Sequence, residues 1–190
     1  MNILIIKLGA TGDVVRTTPL LRRLTGTVTW ITAAKNIVLL QELQPPVHCL
    51  SWEQRDQVAN AHYDLVINLE DDLEISAFTK KLKSRKFFGA CLNAKGTIEY
   101  TTSSRCWFDM SLISTFGKER ADFLKLQNRR TYQDMIFSGL GISFAGETYV
   151  MPGPVETGLA GDVAIAPEAG SVWPMKRWAY YNQLKRELEL

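Results

Sequence analysis

Apolar and polar positions alternate along this chain in blocks that switch period at regular intervals. Residues 3–6 are a continuous apolar run, as expected of a strand covered on both faces. Val14, Val15, Leu20, Leu21 and Leu24 then recur at helical spacing, with Pro19 disturbing the first turns. Residues 28–32 bunch β-branched and aromatic side chains and predict a second strand. Residues 36–43 predict a short helix that ends before Pro45 and Pro46. A third strand is expected over 48–51, a helix over 54–61, and a buried strand over 63–69. This alternation predicts a parallel sheet covered on both faces.

Beyond it, 75–88 reads as a helix leading into a strand, and 93–107 as a hairpin or long loop over the sheet edge. Residues 108–116 and 122–140 read as helices, with Tyr132, Met135, Ile136 and Leu140 on a core stripe. A brief strand is expected at 148–150. Residues 151–161 hold two prolines and three glycines and form the predicted linker. A strand at 163–166 and a helix over 174–190 follow it.

Chemistry concentrates at the first strand-to-helix corner. Gly9 and Gly12 permit a tight turn and close approach of a ligand. Asp13 then falls at the carboxyl end of a buried strand, where open α/β sheets bind ligands. The simplest role for Asp13 is a helix N-cap. Neither Gly-x-Gly-x-x-Gly nor a Walker A lysine is present, which disfavours an ordinary nucleotide-binding Rossmann domain. Glu70, Asp71, Asp72 and Glu74 follow another strand end, where carboxylates can hold a sugar or open a helix. The basic residues of 80–86 read as a solvated helix end or as a landing patch for anionic lipid phosphates.

Two stretches together carry a specific resemblance. Ile-Ile-Lys-Leu-Gly-Ala-Thr-Gly-Asp13-Val-Val-x-Thr-Thr-Pro-Leu-Leu and Ala-Gly170-Ser171-x-Trp-Pro-x-Lys176-Arg-Trp resemble the paired signatures of glycosyltransferase family 9, the ADP-heptose:lipopolysaccharide heptosyltransferases and their relatives. Residues 63–69 are similar to that family's inner strand. The resemblance implies an α/β fold of GT-B type. A Rossmann-like acceptor-side domain would span 1–150, with a linker at 151–161. Residues 162–190 would supply the first strand and helix of an incomplete second Rossmann-like, nucleotide-sugar-binding domain. It also implies inverting sugar transfer from a nucleotide-sugar donor such as ADP-heptose to a hydroxyl of the lipopolysaccharide core or another glycan. Asp13 would be the general base, Gly9, Thr11 and Gly12 the acceptor-side loop, and Gly170, Ser171 and Lys176 the donor-phosphate site. Tyr100, Ser103, Ser104, Arg105 and Trp107 lie in the region that faces the acceptor in the family.

No cofactor is required on this reading, although Mg²⁺ is compatible with it, and no metal-ligand spacing stands out around His48 or His62. The expected location is cytoplasmic, with peripheral contact at the inner face of the cytoplasmic membrane. A truncated family member, a fragment, or half of a split enzyme would each account for the short second domain, and such a chain is expected to be weakly active or inactive alone. The alternative is a non-catalytic module of the same fold that binds an acceptor or a partner.

Composition narrows the field further. Apolar residues at 46% and charged residues at 22% suit a globular core. A net charge of +2 is too mild to imply a nucleic-acid partner. The opening apolar run is too short for a signal peptide or membrane span. Three widely spaced cysteines predict reduced thiols.

Overall fold

In a computed structural model, residues 1–111, 113–158, 160–168 and 176–188 are described. The chain divides into two units, Met1–Gly153 and Pro154–Leu190.

The first unit is a doubly wound α/β domain. Its strands are β1 (Asn2–Ile6), β2 (Thr27–Thr32), β3 (Val47–Ser51), β4 (His62–Asn68), β5 (Lys83–Leu92) and β6 (Ile98–Tyr100). They are ordered β3-β2-β1-β4-β5-β6, and every pair is parallel except β5–β6. The reversal of winding falls between β1 and β4, so the connections leaving their carboxyl ends diverge and open a crevice. Ile3, Leu4, Ile5 and Ile6 are all fully buried, as the continuous apolar run requires.

One face of the sheet is covered by α1 (Thr11–Thr17), a 3₁₀ turn at Thr18–Arg22, α3 (Arg105–Ser111) and α5 (Tyr132–Gly139). Val14, Leu20, Leu21, Trp107, Phe108 and Ile136 pack there against Ile3, Ile5, Trp30 and Phe88. On the other face Val58, Ile75 and Phe78 pack on Leu4, Ile6, Ile31 and Val66, with α2 (Leu73–Thr79) supplying two of the three. Pro19 converts the end of the first helix into the 3₁₀ turn, since its ring cannot sit inside an α-helix.

Several expected elements take another form. Residues 36–43 and 54–61 were expected as α-helices; the segments Ala34–Leu39 and Trp52–Val58 are 3₁₀ turns. Each crossover is short, and in the first Pro45 and Pro46 follow too closely for a longer helix. The basic stretch is divided: Lys80 and Lys81 close α2 as a helix end, and the remaining cations do not. α2 stops at Thr79, and Lys83, Arg85 and Lys86 open β5, which pairs with β4. At Gly89, where φ is +130°, the strand turns towards β6; an added Cβ would lie 1.9 Å from the Asn68 carbonyl oxygen.

Residues 148–150 form no strand. Arg22 holds the carbonyls of Thr148 and Tyr149, and the Val150 amide donates to Thr18 Oγ1 at 3.0 Å. Side chains there do the work of a ladder. The long helix expected over 122–140 is split: α4 (Ile113–Gln127) ends, and Thr131 caps α5 by accepting from the Asp134 amide.

The second unit contains α6 (Tyr181–Leu188). Residues 163–166, expected as a strand, make no strand pairing, and Val163 is 60% exposed. Among the described residues of this unit there is no strand for the segment to pair with, so its backbone groups gain nothing from strand geometry. No helix among the described residues is long and apolar enough to cross a membrane.

Candidate active site

The crevice at the β1–β4 reversal is built by the Leu8–Gly9 corner. Glu70 follows β4, and its Oε1 accepts from the Leu8 amide at 2.7 Å, the Gly9 amide at 3.1 Å and the Lys7 ammonium at 2.9 Å. Asn68 positions it. This buried side chain donates to the carbonyls of Glu70 and Ala90 and accepts from the Glu70 amide. Successive amides at such a corner form a concavity that attracts anions. Here the chain fills it with its own carboxylate, leaving no place for a phosphate. That physical reason accompanies the missing dinucleotide fingerprint.

Thr11 and Asn36 lock the next residues. Thr11 Oγ1 donates to Asn36 Oδ1 at 2.8 Å, and Asn36 Nδ2 donates to the Leu8 carbonyl at 2.7 Å. Thr11 is therefore committed to the fold through its side chain. Gly9 and Gly12 both face open space, with nothing within 4 Å of an added Cβ. Neither has the left-handed backbone that would demand glycine, so the corner leaves room above it instead of needing glycine for the turn.

Asp13 is not the N-cap. Ala10 holds that position without a side-chain bond, and Asp13 sits within the first turn. Its carboxylate is 36% exposed and meets Arg16 Nη1 at 3.2 Å, one helical turn on. The Arg16 guanidinium lies 4.2 Å from the centre of the Tyr132 ring. The Tyr132 hydroxyl and Thr17 Oγ1 are 3.0 Å apart. Burial pushes the Tyr132 phenol well above its ordinary range; the Thr17 bond opposes that rise, and the Asp13 charge adds to it. Asp13, Arg16 and Tyr132 line one cleft of about 650 Å³ together with Trp107, Lys125 and Arg130. Tyr149 also reaches it.

Arg16, Lys125, Arg130 and Tyr149 have no place in the sequence reading of the site, and Tyr132 reads there as core. Arg16 had a signal, since it stands three residues after Asp13 on the same helix. Lys7 had one too, as a lone charge ending an apolar run. Lys125, Arg130 and Tyr149 come from distant elements, and no local pattern marks them.

The remaining candidates divide. The acidic group after β4 is spent on structure: Asp72 caps α2 by accepting from the Glu74 and Ile75 amides, and Glu74 pairs with Arg55. The Tyr100 hydroxyl reaches Asp71 at 3.4 Å. Among the described residues no group of three or more His, Cys, Asp or Glu is arranged to hold a metal ion. Of the acceptor-side candidates Trp107 alone lines the cleft, and it is almost fully buried. Ser104 is buried in the 3₁₀ turn Thr102–Ser104 after β6, and Ser103 lines a different groove. Gly170 and Ser171 lie outside the described residues. Lys176 is exposed in the second unit, close to Trp178, whose ring stands 5.6 Å from Tyr180 and 5.3 Å from Tyr181.

Fold and cleft thus define a Rossmann-like α/β domain that presents a carboxylate beside cations and aromatic rings at the carboxyl edge of its sheet. No family model matches the chain, and no curated protein does. Among solved structures it is similar to E. coli heptosyltransferase WaaC with ADP-2-deoxy-2-fluoro heptose, at 14% identity and a TM-score of 0.42, over 75% of this chain and 49% of that one. It is likewise similar to E. coli heptosyltransferase WaaC with ADP, at 15% identity and a TM-score of 0.44, over 75% and 48%. The chain spans about half the length of these structures. A likeness this remote carries no conclusion about activity.

Proposed function

We propose that the first unit is the acceptor side of an inverting, heptosyltransferase-like glycosyltransferase, with Asp13 as general base. The acceptor hydroxyl attacks the anomeric carbon of a nucleotide-sugar as its proton passes to the Asp13 carboxylate. The bond from that carbon to the diphosphate breaks, and the nucleoside diphosphate leaves with the electron pair. Gly170, Ser171 and Lys176 meet the leaving charge from the donor-binding unit, so that no metal ion is required. The acceptor is a lipopolysaccharide-core or related glycan, and the reaction belongs at the cytoplasmic side of the inner membrane.

The observation carrying this reading is the partly exposed Asp13 carboxylate lining a cleft of about 650 Å³, next in sequence to a glycine corner with open space around it. The two quoted sequence signatures support it. The test is transfer of sugar from ADP-heptose to a glycan acceptor by wild type and Asp13→Asn. General-base loss lowers the rate about 10²–10⁴-fold while acceptor binding persists. Equal, measurable rates in the two proteins would remove Asp13 from the chemistry.

A second reading, a non-catalytic acceptor-binding module, is favoured by Glu70 occupying the amide corner of the first unit. It is distinguished by acceptor binding without any turnover of the donor.

A further inference from the structure

A second concavity, of about 410 Å³, lies at the opposite end of the sheet from Asp13. Its lining includes Met1 and Leu24, which precede β1 and β2, Leu65 within β4, and Arg85, Lys86 and Phe88 along β5. Leu140 and Ile142, just after α5, close the other side. Apolar side chains in its lining are joined by three cationic ones at the rim: Arg23, which is paired with Glu147, and Arg85 and Lys86. Arg85 is 81% exposed and only loosely paired with Asp64, at 3.6 Å. Lys86 is exposed and makes no ion pair among the described residues, and neither does Lys83, two positions before Arg85. Asp64 is the one anion on that rim, and its carboxylate is already held by the Asn2 amide at 2.8 Å.

Charges on this part of β5 have a simpler use. The strand pairs with β4 alone over these residues, and lysines on an open edge discourage pairing between copies. Edge protection does not call for an apolar groove beside the charges. Nor does it explain why Arg85 and Lys86 both line that groove, with Lys83 a further exposed cation on the same strand outside it. An anionic head on an apolar tail fits both features at once.

We propose that this end of the domain docks on a membrane surface bearing anionic phospholipids, with Lys83, Arg85 and Lys86 on the headgroups and one acyl chain lodged between Leu65, Phe88, Leu140 and Ile142. The proposal is independent of the Asp13 chemistry, since it concerns the other end of the sheet. Each such cation contributes roughly 5-fold to partitioning.

The test is co-sedimentation of the 190-residue protein with vesicles of phosphatidylglycerol and phosphatidylcholine, against phosphatidylcholine alone. Wild type is compared with Arg85→Ser/Lys86→Ser, two exposed positions whose loss leaves the core intact. The expected result is binding to the anionic vesicles only, weakened about 25-fold in the double variant and further by salt. Titration with monomeric dodecyl phosphate is the second arm, read from the Leu140 and Ile142 methyl resonances; shifts there are expected in wild type. Equal binding to both vesicle types, or no effect of the double variant, overturns the proposal. So does dodecyl phosphate binding without vesicle binding, which would make the groove a site for a soluble amphiphile.

Discussion

Replacing Glu70 by alanine probes the crevice most directly. Its carboxylate accepts three bonds, from the Lys7 ammonium and the amides of Leu8 and Gly9. The Lys7 and Glu70 side chains are 7% and 19% exposed, so the pair is well shielded. Truncation leaves a buried ammonium without its counter-charge, a change worth about 3–5 kcal/mol. The two amides add less, because a water molecule can enter the space vacated at the crevice. With a urea slope of about 2 kcal/mol/M for a domain this size, the midpoint falls by roughly 1.5–2.5 M. Glu70→Gln retains an acceptor for the amides and loses the charge, so it costs about 1.5–3 kcal/mol. Lys7→Met combined with Glu70→Gln removes the stranded ammonium and recovers at least about half of the loss from Glu70→Gln, a coupling that the cycle of Lys7→Met, Glu70→Gln and the double variant reads directly. A loss below about 1 kcal/mol for Glu70→Ala, or simple additivity in the cycle, would refute the view that this pair holds the crevice.

Three other expectations concern separate parts of the domain. Gly12→Ala places its methyl in open space and relieves a flexible helical position, so stability holds or rises by about 0.5–1 kcal/mol in thermal unfolding, whereas glycan binding by calorimetry falls if the acceptor approaches this corner. Gly89→Ala combines a left-handed backbone with a methyl driven onto the Asn68 carbonyl, and a loss of more than about 3 kcal/mol is expected in urea unfolding. Burial pushes the Cys49 thiol up to about 11 from an ordinary 9. The folded state therefore retains that proton longer than the unfolded chain does. Its contribution to stability is complete below about pH 9 and is lost as pH rises towards 11. Cys49 should correspondingly react slowly with an aromatic disulfide at pH 8, and Cys49→Ala should flatten the alkaline fall in stability.

Strands β1 to β4 were legible because each is specified locally. Residues 3–6 are apolar without interruption, and only burial on both faces satisfies such a run. The corner at residues 9–13 was legible too, since a period change flanked by glycines can hardly be anything but a strand-to-helix turn. Which carboxylate serves which purpose was not. Asp13 and Asp72 each precede an apolar helical stretch and look alike as caps, yet only Asp72 caps, and the Ala10 backbone opens α1 instead. Glu70 is one of four acidic residues close together in sequence, and nothing local marks it as the partner of Lys7, 63 positions away. The pairing of β1 with β4 creates that partnership, because it places the two strand ends side by side.

Sequence alone determined the parallel α/β class, the order of the early elements and the strand-to-helix corner after β1, since these depend on period, on turn residues and on runs of a single polarity. Tertiary structure alone decided that the amide corner is filled from within and that Arg16 and Tyr132 surround Asp13. It also put Lys83, Arg85 and Lys86 on an exposed strand beside an apolar groove, and left residues 163–166 without a strand partner among the described residues. Those outcomes depend on which distant segments become neighbours. Hydrogen bonds and charges act over a few ångströms in space, and separation along the chain does not reveal that distance.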